Sequence, residues 1–198
     1  MHTYGFVVLA AGSSTRLGQP KQLVQVGNKS LLQHTCEQAV SLQKGPVLVI
    51  LGAFAPIINA SLDNSVSVEI NPTWEEGIGS SIRFGTEMMM NRHPTIEGMI
   101  LMVCDQPFLT STHLQHLIDE ADQHGKGIIA SNYQQTSGTP VLFKKKYFDQ
   151  LIQLRGDEGA KKLIREFSGD AGFVNFPSGE VDIDTREDLE KLPPQFEV

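Results

Sequence analysis

The sequence has little of several features that mark particular classes of protein. Its two cysteines, Cys36 and Cys104, lie far apart without a Cys-x-x-Cys pattern, so neither a disulfide framework nor a zinc site is predicted. Lys and Arg number 16 against 23 Asp and Glu, and the net charge of −7 argues against nucleic-acid binding, which needs a basic face. The apolar runs are too short for a signal peptide or a membrane span, so we expect a cytoplasmic protein that binds no membrane.

The rest of the composition is that of an ordinary globular protein. The 198 residues are 40% hydrophobic and 20% charged, and this length fits one domain with a single well-filled core. No internal repeat and no linker-like stretch divides the chain. We therefore expect one domain over residues 1–198.

Short apolar runs alternate with segments of helical spacing. The runs lie at residues 6–10, 47–51, 66–70, 99–104 and 127–130, and the clearest helical spacing lies at residues 30–42 and 110–123. Two more helices are predicted near the end, one capped by Asp157 and one beginning at Thr185. Alternation of this kind is typical of βαβ units and predicts an α/β fold with a mostly parallel sheet.

A loop rich in glycine and hydroxyl groups follows the first apolar run. It contains Gly12 and Gly18 together with the cations Arg16 and Lys21. Glycines let the backbone approach a ligand, and loop amides and cations can neutralise an anion, so the loop indicates a phosphate-binding site. Its spacing matches neither a Walker A loop nor a dinucleotide fingerprint, and an ordinary strand-to-helix connection is the alternative.

Carboxylates follow the most apolar run and recur near the end of the chain. Asp105 comes directly after residues 99–104, at the strand end where open α/β sheets bind ligands, and would suit a Mg²⁺ ion shared with nucleotide phosphates. Its alternative role is to cap the next turn. Asp184 is a second candidate ligand, with Asp182 on the same face of a short strand; its alternative role is to cap the last helix, with Glu187 completing a capping box.

The histidines are given no chemical role. His113 and His116 lie three residues apart on the predicted helix at residues 110–123, a spacing that can chelate a metal. No third ligand is apparent near them in the sequence. We therefore expect both side chains to face solvent.

Taken together, these segments resemble the molybdopterin cytidylyltransferases, a family within the MobA-like nucleotidyltransferases. The matching segments keep their order over nearly the whole chain: residues 9–18 with Lys21, 71–77 with Ser80 and Ser81, 104–107, 137–140, 156–160 and 182–185. The resemblance implies a Rossmann-like three-layer α/β fold with helices on both faces of the sheet. It also implies a Mg²⁺-dependent reaction in which the terminal phosphate of molybdopterin attacks the α-phosphorus of CTP and pyrophosphate leaves.

The resemblance further implies a role for each matching residue. The catalytic residues would be Arg16, Lys21 and Asp105. The metal ligands would be Asp105 and Asp184, with Asp182 as a candidate helper. The nucleotide would be bound by Leu9, Ala10, Ala11, Gly12, Ser13, Arg16 and Lys21. The second substrate would be bound by Asn71, Ser80, Ser81, Gly138 and Asp157.

Three positions bear on the choice of base and on how tightly the cofactor binds. Ala11 stands where relatives that transfer GMP usually have glycine, and its methyl group narrows the space beside the base, which favours a pyrimidine. Leu17 and Lys161 stand where the family commonly has methionine and arginine. Leucine is apolar like methionine, and lysine is positively charged like arginine. Lysine, however, cannot donate the pair of parallel hydrogen bonds by which arginine binds a phosphate.

The expected substrates are CTP and a molybdopterin-type cofactor, with a molybdenum hydroxylase as a candidate recipient of the product. Two alternatives stay open. A related nucleotidyltransferase that uses GTP, or a sugar or alcohol phosphate as acceptor, could carry the same catalytic residues. A non-catalytic accessory protein that only binds the molybdenum cofactor would have no need of the complete set of cations and carboxylates described above.

Overall fold

The computed structural model describes residues 3–134 and 136–192, and these residues form an α/β fold. Its strands are β1 (Tyr4–Ala10), β2 (Gln25–Val26), β3 (Lys29–Ser30), β4 (Val47–Leu51), β5 (Ser67–Ile70), β6 (Gly98–Val103), β7 (Ile128–Tyr133), β8 (Thr136–Lys144) and β9 (Ala171–Asn175). Seven of them form one sheet in the order β5-β4-β1-β6-β8-β7-β9, and β2 and β3 form a separate hairpin. Every pairing in the large sheet is parallel except those of β8, which runs antiparallel to β6 and β7.

Helices cover both faces of this sheet. They are α1 (Leu31–Ser41), α2 (Ala55–Asn59), α3 (Ile78–Arg92), α4 (Ser111–His124), α5 (Phe148–Leu151), α6 (Ala160–Glu166) and α7 (Arg186–Glu190). Because side chains alternate along a strand, Val8 packs in the cluster that contains Leu32 and Leu114, and Val7 packs in the cluster that contains Ile82. The predicted single-domain, three-layer sandwich is therefore confirmed. In the described ranges, no helix has the length and apolar character needed to cross a membrane.

Local capping explains where the clearest helices begin. The side chain of Ser30 accepts a hydrogen bond from the backbone of Gln33, whose own side chain returns to Ser30, and this capping box starts α1. Thr110 accepts from the backbone N–H of His113 and starts α4. Both predicted helices are confirmed to within a residue or two.

The predictions for the C-terminal part need three corrections. Asp157 does not cap α6, which begins after Gly159 and has no side-chain cap. Residues 181–184 are irregular rather than a short strand. The last helix is capped by Thr185, with Asp188 completing the capping box, so Asp184 does not have the capping role that was its alternative.

Candidate active site

The glycine-rich loop begins where β1 ends, at the carboxyl edge of the sheet. The buried amide of Gln22 donates to the carbonyl oxygens of Ala10 at 2.8 Å and Gly12 at 3.0 Å. These two hydrogen bonds fix the backbone at the start of the loop. The Ser14 hydroxyl, on a residue with a left-handed φ of 52°, accepts from the backbone N–H of Lys21 at 3.1 Å. A Cβ built on Gly12 would meet no protein atom within 4 Å, so this side of the loop is open to a ligand.

The two predicted cations and the two predicted metal ligands meet beside this loop. The Lys21 ammonium donates to Asp105 Oδ2 at 2.6 Å and to Asp184 Oδ1 at 2.8 Å. The Arg16 guanidinium donates to Asp184 Oδ2 at 2.6 Å, although the Arg16 side chain is 72% exposed. The backbone N–H of Ile183 donates to the carbonyl of Asp105 at 2.9 Å, which brings the C-terminal segment back to the end of β6.

The charges of this cluster are strongly coupled. Burial by itself lowers the pKa of the Lys21 ammonium, but the charges and hydrogen bonds of Asp105 and Asp184 outweigh it and hold that pKa above its usual range. The hydrogen bond from Lys21 is the main cause that keeps the pKa of Asp184 below its usual range. Asp182 is open to solvent on one side, yet desolvation by the surrounding protein and then the charges of Asp105 and Asp184 raise its pKa to about 7.

A cleft of about 350 Å³ runs from the glycine-rich loop to Asp105. It is lined by the predicted nucleotide-binding residues Leu9, Ala10, Ala11, Gly12, Ser13 and Lys21, and also by Gln22 and Trp74. Arg16 is not part of this lining and pairs with Asp184 instead. A second cavity of about 640 Å³ borders the cleft through Ile78 and Val103, and Gly138 and Asp157 line it. The structure therefore brings most of the predicted site residues to one edge of the sheet.

The wall of the cleft opposite the loop is held by a buried hydrogen-bond network. The amide of Asn71 donates to the hydroxyls of Ser80 at 3.0 Å and Ser81 at 3.2 Å, and its carbonyl accepts from the backbone N–H of Thr73 at 3.0 Å. Asn71 and Ser80 are 0% exposed, and of the three only Ser81 lines the cleft. In this structure the buried side chains of Asn71 and Ser80 hold the wall in place, and their contact with a substrate stays a prediction.

Two close approaches fix the position of this wall. A Cβ on Gly52 would lie 2.5 Å from Cγ of Trp74 and 2.7 Å from the carbonyl oxygen of Ala11, so Trp74 packs directly against the loop that follows β4. Gly77 has a φ of 112°, and a Cβ there would lie 2.5 Å from the carbonyl oxygen of Gly156. Gln22 and Gly52 have no role that their sequence pattern predicts, because their importance depends on neighbours that are distant in sequence. The one signal in the sequence is that Gln22 stands next to Lys21.

The carboxylates of the cluster are chemically suited to a divalent ion. Asp105 Oδ1 is buried and has no hydrogen-bond partner among the described residues, so one oxygen remains free to accept. Within residues 3–134 and 136–192, no group of three or more His, Cys, Asp or Glu side chains could hold a metal by itself. Two carboxylates, completed by phosphate oxygens and water, are the ligand set that Mg²⁺ prefers at nucleotide sites. Asp105 and Asp184 therefore fit an ion that binds together with a nucleotide.

A mostly parallel sheet, a glycine-rich loop after its first strand, and cations facing carboxylates at its carboxyl edge together form a site suited to a nucleotide and a metal ion. The comparison with protein families identifies the class as that of the nucleotidyltransferases. Residues 6–171 match the MobA-like NTP transferase domain. The chain belongs to this family of MobA-like nucleotidyltransferases.

Several known proteins are similar to this chain. The purine catabolism protein PucB of Bacillus subtilis (strain 168) is 28% identical, covering 94% of this chain and 94% of that protein. The bifunctional protein GlmU of Streptomyces griseus is also 28% identical over 94% of this chain, which spans only 41% of that protein. The crystal structure of Rv0371c from Mycobacterium tuberculosis H37Rv is 28% identical, with a TM-score of 0.86 over 100% of this chain and 98% of that one. A structure of Rv0371c in complex with manganese has a TM-score of 0.78 at 24% identity, over 100% and 99% of the two chains.

Proposed function

We propose that this nucleotidyltransferase moves CMP from CTP to the terminal phosphate of the molybdenum-molybdopterin cofactor and releases pyrophosphate, with Mg²⁺ as its metal. The observation that carries the proposal is the contact of one ammonium, that of Lys21, with the carboxylates of both Asp105 and Asp184 at the mouth of the cleft. A site of this kind can neutralise a triphosphate on one side and hold a metal on the other. Phosphoryl transfer depends mainly on those two tasks.

The charges of the substrates explain why both kinds of group are needed. A dianionic phosphate must approach the α-phosphorus of a tetraanionic nucleotide, so repulsion is the main barrier to their encounter. Lys21 and Arg16 would bind the triphosphate, and Asp105 and Asp184 would hold Mg²⁺ against it. When bound, the ion would neutralise phosphate charge and help the pyrophosphate to leave. The attacking phosphate is already ionised near neutral pH, so no residue has to act as a general base.

The residue that follows β1, Ala11, favours a pyrimidine nucleotide over a purine nucleotide. Ala11 is only 7% exposed and lines the cleft, and its carbonyl oxygen already accepts from the backbone N–H of Ala53 at 3.0 Å. The methyl group of Ala11 would therefore lie at a fixed place beside the base. A smaller base fits this position better than a purine, which favours CTP.

The metal and the acceptor are supported by the relatives. The related Rv0371c has a structure in complex with manganese, an ion that takes the same oxygen ligands as Mg²⁺. The resemblance of the matched segments to molybdopterin cytidylyltransferases favours the molybdopterin acceptor. The second cavity, lined by Gly138 and Asp157, lies beside the cleft where an acceptor phosphate has to enter.

The proposal is tested by pyrophosphate release from each of the four nucleoside triphosphates, with Mg²⁺ and the molybdenum-bearing cofactor. We expect turnover with CTP and formation of a cytidine dinucleotide. Faster turnover with GTP or ATP would contradict the nucleotide assignment. Turnover only when a sugar or alcohol phosphate replaces the cofactor would contradict the acceptor. Binding of the cofactor without turnover on any nucleotide would favour an accessory protein.

A further inference from the structure

The side chain of Gln106 lies at the junction of three segments of the chain. Gln106 directly follows Asp105 at the end of β6 and is only 2% exposed. Its Nε2 atom donates to the carbonyl oxygen of Gly179 at 2.8 Å and to that of Thr139 at 3.2 Å. Gly179 belongs to the segment that leads to Asp184, and Thr139 lies near the start of β8. One amide therefore ties the end of β6 to both of these segments.

These two hydrogen bonds fix the orientation of the Gln106 amide and leave its own oxygen unpaired. Because both partners are carbonyl oxygens, only the nitrogen of the amide can face them. Oε1 is buried and has no hydrogen-bond partner in the part of the chain that the structure describes. Burial of an unpaired acceptor costs free energy, and an apolar side chain of similar size would avoid that cost. Core stability therefore does not explain a glutamine at this position, whereas the holding of two backbone segments does.

The segment from Gly179 to Asp184 is also held close to its other end. The backbone N–H of Ile183 donates to the carbonyl oxygen of Asp105 at 2.9 Å. The side chain of Ile183 is 0% exposed and packs in a small apolar cluster with Leu17 of the glycine-rich loop. Since these contacts do not involve the Gln106 side chain, its replacement should shift the segment without detaching it from the protein.

A tight turn leads from β9 to Gly179. The backbone N–H of Phe176 donates to the carbonyl oxygen of Asn132 on β7 at 2.8 Å, and that of Gly179 donates to the carbonyl oxygen of Phe176, also at 2.8 Å. A Cβ on Gly179 would overlap the ring of Phe176, so this ring packs directly against the backbone of the turn. The turn is therefore anchored on β7, and Gln106 fixes its far end relative to Asp105.

We propose that Gln106 is a positioning residue that sets the separation of the Asp105 and Asp184 carboxylates. Its amide fixes Gly179, and the segment that starts there carries Asp184 back to the end of β6. The separation matters because the Lys21 ammonium contacts both carboxylates. The effect on catalysis rests on the proposed function, since it assumes that a nucleotide and a metal ion use this pair of carboxylates. The effect on the C-terminal segment concerns the unloaded protein alone.

The first measurement therefore uses the unloaded protein. Gln106→Met keeps the length of the side chain and removes the donor. Gln38→Met makes the same chemical change at a glutamine on α1 whose oxygen accepts from the backbone N–H of Ser111 at 2.9 Å, and it is the matched control. Amide hydrogen exchange is followed by NMR. We expect the Ile183 amide to exchange about 5- to 10-fold faster in Gln106→Met than in the wild type or in Gln38→Met, the effect of losing about one hydrogen bond.

Two additions separate a local shift from general destabilisation. The amide of Val8, in the fully buried strand β1, is the internal reference and should exchange at the wild-type rate in Gln106→Met. Gln106→Asn, whose amide is one methylene shorter and cannot reach both carbonyl oxygens, should accelerate the exchange of Ile183 in the same way. Wild-type exchange of Ile183 in both Gln106 variants, or equal acceleration of Ile183 and Val8, would overturn the inference.

The second measurement is pyrophosphate release with CTP, Mg²⁺ and the molybdenum-bearing cofactor. We expect Gln106→Met to lower kcat by about 10- to 100-fold, because the two carboxylates are misplaced. The KM for CTP should change by less than about threefold, since the glycine-rich loop keeps its contacts. Faster exchange of Ile183 with an unchanged kcat would overturn the positioning role. If the wild-type protein releases no pyrophosphate, the proposed function fails, while the exchange rates still decide whether Gln106 holds the segment.

Discussion

Lys21 occupies the space between two carboxylates where a divalent ion is expected, and replacing it should therefore have opposite effects on metal binding and on turnover. Its ammonium lies 2.6 Å from Asp105 and 2.8 Å from Asp184, and its side chain is only 17% exposed. An ion that takes the two oxygens contacted by this ammonium, Oδ2 of Asp105 and Oδ1 of Asp184, must displace it. A triphosphate would draw the ammonium away and supply phosphate oxygens to the ion, so nucleotide and metal should bind together.

The size of the effect follows from these two contacts. Hydrogen bonds to charged groups are each worth about 1.5–3 kcal/mol, and an entering ion has to break both. If about 1.4–2.8 kcal/mol of this competition is relieved in Lys21→Met, the affinity for Mn²⁺ without nucleotide should rise about 10- to 100-fold. Turnover should fall by about 10²- to 10³-fold in the same variant, since a preorganised charge on the triphosphate is lost.

The free Mn²⁺ signal in electron paramagnetic resonance measures the change in Mn²⁺ affinity, and pyrophosphate release measures the change in turnover. Arg16→Gln is a useful comparison, because Arg16 is exposed and, among the carboxylates that the structure describes, pairs with Asp184 alone. This substitution should change Mn²⁺ affinity by less than about threefold, as expected for an exposed pair. Lys21→Met with unchanged or weaker Mn²⁺ binding would refute the idea that Lys21 and the metal share one place.

Three further predictions concern single side chains. Asp105→Asn should lower pyrophosphate release by at least about 10²-fold, whereas the control Asp149→Asn, at an exposed carboxylate on α5, should not. Retained activity in Asp105→Asn would exclude Asp105 as a metal ligand. Gly52→Ala should raise the KM for CTP more than about tenfold and destabilise the fold by about 1–3 kcal/mol, because the new Cβ would lie 2.5 Å from Cγ of Trp74. An unchanged KM would show that Trp74 is free to move. Burial is the main cause that lowers the pKa of His113 to about 4. The stability that the neutral side chain contributes is therefore complete above pH 6.5 and is lost as the pH falls towards 4. Urea unfolding should show the free energy of unfolding decrease by roughly 3 kcal/mol over that interval, and the decrease should be absent in His113→Gln.

The sequence predicted most of the fold because the local patterns and the tertiary environment agree. The strands at residues 6–10 and 47–51 are apolar throughout, as strands buried on both faces are, and their burial is complete. Asp105 and Lys21 could be chosen because strand ends and glycine-rich loops are where α/β proteins bind phosphate and metal. What the sequence could not show is that one ammonium bridges Asp105 and Asp184, since Lys21 and Asp184 are 163 residues apart.

The places where the structure differs from the expected environment of a residue also have physical causes. Asn71 and Ser80 are polar residues in a segment with two nearby glycines, a pattern typical of ligand contacts, yet their polar groups satisfy one another inside the wall. His113 was expected to face solvent, but it donates to or accepts from Ser131 at 2.7 Å and stacks on Phe176 at 4.3 Å. It lies four residues before Leu117 on the inner face of α4, and that spacing was the signal that burial would outweigh polarity.

The reversed direction of β8 has a consequence for how such a site can change. Because β8 runs against its neighbours, its first residues, including Gly138, lie at the same edge as the last residues of β6 and β7. If the proposed function holds, the nucleotide would be bound by the loop after β1 in one half of the chain, and the acceptor beside the hairpin of β7 and β8 in the other half. Altering the connection between β7 and β8 should then change acceptor selectivity without changing the loop after β1, so the two specificities could be engineered separately.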